Sequence, residues 1–86
     1  MDSKELKLKL EPFRKQCELD GIKIADILIK EAYPETESYY VDVCIPTVTA
    51  ENYKSILDRT FNILINTIDK KTRTFVFTYC VINESI

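Results

Sequence analysis

The chain has 86 residues, enough for one domain over residues 1–86, and its net charge of −2 argues against strong non-specific binding to nucleic acid. It contains no histidine, no tryptophan and one glycine. These absences remove the commonest general base, the commonest metal ligand and every glycine-rich phosphate loop, so we expect no enzyme, no cofactor and no metal site.

The cysteines and the apolar runs point to a cellular compartment. The chain has three cysteines, an odd number, and they lie far apart at Cys17, Cys44 and Cys80. This pattern is typical of neither a disulfide framework nor a CxxC motif. Without a histidine to activate a thiol, we expect all three to pack as small apolar side chains. The N-terminus is charged, and no aliphatic run approaches the ~20 residues that span a bilayer. We therefore expect a cytoplasmic protein that does not enter a membrane.

The first predicted element is an amphipathic helix that Ser3 caps and Gly21 ends. Its apolar face holds Leu6, Leu10, Phe13 and Cys17. Pro12 falls in the middle, where proline costs ~3 kcal/mol, so we expect the helix to break or kink there. The alternative is a strand over residues 4–10, where leucine alternates with charged residues, followed by a helix that begins at Pro12.

A β-hairpin is predicted next. Residues 21–33 fit a helix or a strand, and we favour the strand because residues 34–38 then form a short loop into a second strand over residues 39–45. A slip in the alternation predicts a bulge near Ala25 and Asp26. Asp26, Glu31 and Asp42 could approach one another across the hairpin, but we expect them on a solvated sheet face.

The clearest element is a helix over residues 49–69 that Thr49 caps. Its predicted buried face holds Tyr53, Ile56, Leu57, Thr60, Phe61, Ile63, Leu64, Thr67 and Ile68, and polar residues occupy the other side. A third strand follows over residues 72–83. Its residues Phe75, Phe77, Tyr79 and Val81 share one face, and the opposite face is also rather apolar.

The order of elements is therefore α-β-β-α-β. It predicts an α+β fold: a two-layer sandwich in which a three-stranded sheet carries both helices on one face. The third strand pairs either in parallel beside the second strand or in antiparallel fashion beside the first. In both arrangements it is an edge strand.

An uncharged, apolar edge strand is prone to self-association unless something covers it. We expect Phe75, Phe77, Tyr79 and Val81 to mediate a homodimer. Tyr33, Tyr39 and Tyr40 surround one turn, and exposed tyrosines are common anchors at protein interfaces, so we expect them to bind a protein partner. The favoured function is a small non-enzymatic interaction or regulatory module of the inhibitor, immunity, chaperone or adaptor type.

The alternative function is nucleic-acid binding. Lys4, Lys7, Lys9, Arg14 and Lys15, joined by Lys70, Lys71 and Arg73, could form a basic patch. The element order also resembles the type II KH-like arrangement of several small RNA- or ribosome-associated proteins. That resemblance is limited to the order of elements, because a GxxG clamp needs two glycines and Gly21 is the only one.

Overall fold

The computed structural model describes residues 2–33 and 37–83. Residues 34–36 of the predicted hairpin loop lie outside the described residues. The elements are α1 (Ser3–Lys9), α2 (Glu11–Leu19), β1 (Asp26–Tyr33), β2 (Ser38–Cys44), α3 (Tyr53–Thr67), α4 (Lys70–Arg73) and β3 (Val76–Ile82).

The three strands form one sheet in the order β1-β2-β3. β1 and β2 are antiparallel, whereas β3 runs parallel to β2, as a connection through a crossover helix requires. Of the two predicted arrangements, the parallel one is therefore present, and β3 lies at an edge as expected. α1 packs on β1, α3 packs on β3, and α2 packs against α3. The predicted two-layer α+β arrangement is confirmed.

The N-terminal helix breaks at Pro12, as predicted. Pro12 lies in the first turn of α2, where its missing N–H costs no helical hydrogen bond. Leu6, Leu10, Phe13 and Cys17 are all buried, so one apolar face continues through the break. The alternative strand over residues 4–10 is wrong. The cap of α1 is Asp2 rather than Ser3, because the Asp2 carboxylate accepts a hydrogen bond from the backbone N–H of Glu5 at 2.8 Å.

Gly21 ends α2 by adopting a left-handed conformation, with φ +83°. The backbone N–H of Ile22 donates to the carbonyl of Cys17 at 2.8 Å, and the N–H of Gly21 donates to Glu18 at 3.0 Å. This pair of bonds is a Schellman motif, which satisfies carbonyls that the helix end would leave unpaired. The chain reverses here, so β1 begins only at Asp26 instead of at the predicted residue 21.

The register of the hairpin corrects one further prediction. Pairing is regular from Asp26 opposite Cys44 to Glu31 opposite Tyr39, and the shift falls between Glu31 and Tyr33. The predicted bulge near Ala25 and Asp26 is absent. The alternation of apolar residues slips there because the residues before Asp26 belong to the connection from α2 and not to the strand.

Thr49 and Asn52 form reciprocal hydrogen bonds just before α3 begins. The N–H of Asn52 donates to Oγ1 of Thr49 at 3.2 Å, and the N–H of Thr49 donates to Oδ1 of Asn52 at 2.6 Å. This exchange follows the capping-box pattern, in which two residues three apart satisfy each other's backbone N–H groups. Regular α-helix then starts at Tyr53, four residues after the predicted start.

The third strand is shorter than predicted, because residues 70–73 form the short helix α4. Asp69 caps α4: its carboxylate accepts hydrogen bonds from the N–H of Thr72 at 3.2 Å and from the Thr72 hydroxyl at 2.6 Å. These bonds lower the pKa of Asp69. Lys70 and Lys71 therefore belong to a separate helical turn.

The register of β3 also shifts near its start. Val76 lies opposite Tyr39, and Thr78 lies opposite the next residue, Tyr40. Three residues of β3 thus span a step that two residues of β2 span. The predicted regular alternation of Phe77 with Tyr79 and Val81 is therefore interrupted, because Phe77 is the extra residue in this step.

Candidate functional site

The predicted partner-binding tyrosines do not share one environment. Tyr39 is 4% exposed and belongs to the core, whereas its neighbour Tyr40 is 37% exposed. Successive residues of a strand point to opposite faces, and only one face of this sheet carries helices. The side chain of Tyr33 lies outside the described residues. Tyr40 is thus the member of the three that the structure shows at the surface.

The predicted self-association residues are also divided. Val81 is 2% exposed, Phe75 and Tyr79 are half-buried against the core, and Phe77 is 51% exposed. The side chains of Val81 and Tyr79 serve the packing of β3 beneath the helices. Phe77 alone among the four presents about half of its surface to solvent.

Phe77 belongs to an exposed apolar surface that spans two layers of the fold. We call Tyr40, Phe61, Ile65 and Phe77 the edge patch; they are 37%, 45%, 39% and 51% exposed. The rings of Tyr40 and Phe77 meet edge to face, with centroids 5.7 Å apart. Phe61 and Ile65 lie one turn apart on α3 and so share a side of that helix. The edge patch therefore extends from α3 past the edge strand β3 to the helix-free face of the sheet.

A groove of about 290 Å³ lies within the edge patch, between α3 and β3. It is lined by Phe61, Leu64, Arg73, Val76, Phe77 and Tyr79. Arg73 is the single cation among these residues. Its Nε atom is buried and has no hydrogen-bond partner among the described residues. The groove thus combines apolar walls with one unsatisfied guanidinium donor.

The floor of the groove is held by a buried polar contact. The Tyr79 hydroxyl donates to Oγ1 of Thr60 at 2.6 Å, and the Thr60 hydroxyl in turn donates to the carbonyl of Leu57 at 3.1 Å. Burial raises the pKa of Tyr79, so the phenol stays protonated and remains a donor. The Tyr79 ring also contacts Phe61 and Phe13, with centroids 5.9 and 6.1 Å away. These contacts fix the position of Phe61 at the surface.

Phe61 and Ile65 were missed as surface residues. The sequence placed Phe61 on the buried stripe of its helix, which is correct for Ile56, Thr60 and Leu64. The available signal was the width of that stripe, since it holds nine of the sixteen residues from 53 to 68, more than one face of a small three-stranded sheet covers. A stripe of that width indicates a helix that contacts something on a second side.

The basic residues form a second, mixed surface. Lys9 of α1 and Lys71 of α4 line one pocket together with Phe75, so the two predicted basic clusters do approach each other. Glu5 and Asp69 line the same pocket. The acids offset the lysines, which leaves no strongly positive surface at this place.

The three hairpin carboxylates are not brought together. Asp42 lies opposite Leu28, Asp26 lies opposite Cys44, and Glu31 lies opposite Tyr39. Asp26 instead forms an ion pair with Lys7 of α1, with Oδ1 and Nζ 3.3 Å apart. The N–H of Ile27 also donates to this carboxylate, and together these contacts lower the pKa of Asp26. Asp26 therefore ties α1 to β1.

The cysteines are free thiols in different surroundings. Cys17 and Cys44 are fully buried, whereas Cys80 is half-buried. Burial raises the pKa of Cys17 to about 12, which leaves almost no thiolate at neutral pH.

Alkylation of the folded protein should therefore be selective. We expect iodoacetamide at neutral pH to modify Cys80 first and to leave Cys17 and Cys44 unmodified until urea unfolds the chain, because only exposed thiolates react. Peptide mass spectrometry of native and unfolded samples measures this order. Rapid labelling of Cys17 in the native sample would contradict its burial, and a Cys80→Ser variant controls for the accessible site.

Comparison with family models, with curated proteins and with solved structures finds no match to this chain. Within residues 2–33 and 37–83, no helix is long and apolar enough to cross a membrane. The same residues contain no group of three or more cysteine, aspartate or glutamate side chains placed to hold a metal ion. A functional interpretation therefore depends on the surfaces that the fold presents.

Proposed function

We propose that this chain is a small non-enzymatic protein-interaction or regulatory module that binds through the edge patch. The observation that carries the proposal is the set of four large exposed apolar side chains of the edge patch, of which Phe61 and Phe77 line one groove. The largest exposed apolar patch of a small protein is often a functional surface, and such patches mark sites of protein contact. Inhibitors, immunity proteins, chaperones and adaptors are the types of protein that use a small fold in this way.

The composition of the edge patch supports this proposal. Aromatic residues and arginine are enriched in the cores of protein interfaces, and the surface pairs three aromatic residues with Arg73. The edge strand β3 runs through the same surface and carries no charged residue. We propose that the module works as a homodimer in the cytoplasm, where a reducing environment would keep the three cysteines as free thiols.

Affinity capture with a matched pair of variants tests the proposal. The tagged chain is used to capture proteins from the lysate of its own cells, with and without nuclease, and mass spectrometry identifies them. We expect a stoichiometric protein that survives nuclease, disappears with the double variant Phe61→Asp and Phe77→Asp, and remains with Leu19→Asp. Leu19 is the control because it is 81% exposed and lies on α2, outside the edge patch. Capture of the same proteins by the variant with Phe61→Asp and Phe77→Asp would contradict the proposal.

A nucleic-acid-binding or ribosome-associated module, with the KH-like order of elements, is the second candidate. The observation in its favour is the pocket that joins Lys9 and Lys71 with the half-buried ring of Phe75. It requires RNA binding that weakens steeply as salt rises, because lysines displace counterions from phosphates. Recovery of RNA or ribosomal proteins that is lost on nuclease treatment, and abolished by Lys9→Glu with Lys71→Glu, would favour this candidate.

A further inference from the structure

We propose that the groove beside β3 receives the Asp58 carboxylate of a second copy of this chain, in a two-fold dimer that forms the Arg73–Asp58 pair twice. This inference rests on the proposed function, because it names the occupant of the edge patch and the contact that selects it. Three features support a second copy as the occupant: the unsatisfied Nε of Arg73, the position of Asp58 on α3 and the size of the edge patch.

The groove lacks an acceptor. Nε of Arg73 is buried without a hydrogen-bond partner in the described part of the chain, and its neighbours in the groove are apolar or aromatic. A buried donor without an acceptor is costly, and a guanidinium stays charged at every physiological pH. The planar fork of arginine matches a carboxylate best. The chemistry of the groove therefore calls for a carboxylate that the described residues do not supply.

Asp58 is in a position to supply that carboxylate to a second copy. It is exposed, and it has no ion pair with another described residue. It lies three residues before Phe61 on α3, and Ile65 lies four residues after Phe61, so all three share one side of the helix. The acid thus borders the edge patch at the end of α3 that lies away from Arg73.

A two-fold axis brings the two charges together. If the axis crosses α3 between residues 61 and 62, the helix packs antiparallel to its copy, and residue 58 of one copy lies level with residue 65 of the other. Leu64 lines the groove with Arg73, so the partner's Asp58 arrives at the level of the Arg73 guanidinium. The same axis forms the second pair reciprocally. A single two-fold rotation therefore forms both Arg73–Asp58 pairs.

The apolar area agrees with a dimer of ordinary size. An aromatic side chain carries about 150–250 Å² of surface, so the exposed fractions of the edge patch sum to roughly 300–400 Å² of apolar area per copy. A stable interface buries about 800 Å² per partner, of which somewhat more than half is apolar. The edge patch supplies most of that apolar share, and Asp58 with Arg73 forms part of the polar rim.

Reciprocal charge exchange tests the pair. Sedimentation equilibrium of the full chain at low and at physiological salt gives the dimer dissociation constant for the wild type, Asp58→Arg, Arg73→Glu and the double variant. We expect each single variant to weaken the dimer at least about tenfold, because it places two like charges in contact across each half of the interface. We expect the double variant to return to within about threefold of the wild type, because the pair is restored with its order exchanged. Glu31→Arg, which makes the same change of charge on β1, should leave the dissociation constant unchanged.

The outcomes separate this inference from the proposed function. A wild type that stays monomeric at high micromolar concentration overturns the dimer, and so does a double variant that remains as weak as the single ones. If the monomeric chain still captures a different protein through Phe61 and Phe77, the interaction module stands and only its occupant is wrong. Circular dichroism of each variant shows that the fold is retained, and Asp58→Asn with Arg73→Gln repeats the comparison without charge reversal.

Discussion

Replacing Phe13 by alanine should destabilise the fold by about 3–5 kcal/mol. Phe13 is 1% exposed, is the largest fully buried side chain, and meets the Tyr79 ring edge to face at 6.1 Å. It lies where α2 faces both α3 and the sheet, so a cavity there is surrounded on several sides and cannot easily collapse. A domain of this size has a total stability of about 4–13 kcal/mol, so the loss is a large fraction of the total and should lower the urea midpoint markedly.

Urea unfolding followed by circular dichroism measures this effect. Phe13→Leu keeps an apolar side chain in place and gives a variant whose midpoint can be measured even if alanine prevents folding. Leu19→Ala is the matched control, because Leu19 lies on the same helix and is 81% exposed. We expect its free energy of unfolding to stay within about 0.5 kcal/mol of the wild type. Equal losses for Phe13→Ala and Leu19→Ala would mean that α2 is rotated from the orientation described.

Leu64→Ala should cost about 2–5 kcal/mol. Leu64 is 3% exposed and packs beneath α3 among the core residues, where it also forms part of the wall of the groove. Thermal or urea unfolding of the variant gives the loss directly. Because the edge patch rests on this side chain, the variant should also weaken any binding that depends on the patch.

Asn62→Ala provides the control for that variant. Asn62 lies two residues away on the same helix and is exposed, so its replacement removes no packing. Alanine also has a higher helix propensity than asparagine, and we expect a change of under about 0.5 kcal/mol of either sign. A large loss at Asn62 with none at Leu64 would place the polar side of α3 inwards and contradict the phase of the helix.

Variants of the edge patch should affect binding and stability differently. Phe61 and Phe77 are held in place by buried neighbours, chiefly Tyr79 and Leu64, but they present about half of their own surface to water. Changes at Phe61 and Phe77 should therefore affect binding more than stability, whereas changes at Leu64 should affect both. A surface that is rigid before binding loses little conformational entropy when a partner arrives.

Much of the fold follows from periodicity alone. The apolar face from Leu6 to Cys17, the break at Pro12 and the turn at Gly21 were predicted correctly, because each depends on a local rule of helix geometry. The position of β3 as an edge strand follows from the order of elements, because either permitted pairing leaves it outermost. The α+β class required nothing more than these local patterns.

The candidate site was less predictable. Tyr39 and Tyr40 are neighbours of the same type, and a strand must send them to opposite faces. Tyr39 shares its face with Val41 and Val43, which marks it as the buried one, but the prediction grouped both tyrosines by type. The one-residue irregularity at Phe77 has no glycine or proline in the sequence to mark it. It arises from pairing between strands, which local patterns do not contain.

Local chemistry along the chain was thus sufficient for the type of every element except α4 and for most of the core. The exposure of Phe61 and Phe77 was established only by the assembled fold, because it depends on how many elements lie beside each flank of the sheet. Within the described residues the sheet ends at β3, and Phe61 of α3 remains 45% exposed although it has the pattern of a buried stripe. An apolar side chain is buried only if neighbours surround it on every side, and the tertiary arrangement decides whether those neighbours are present.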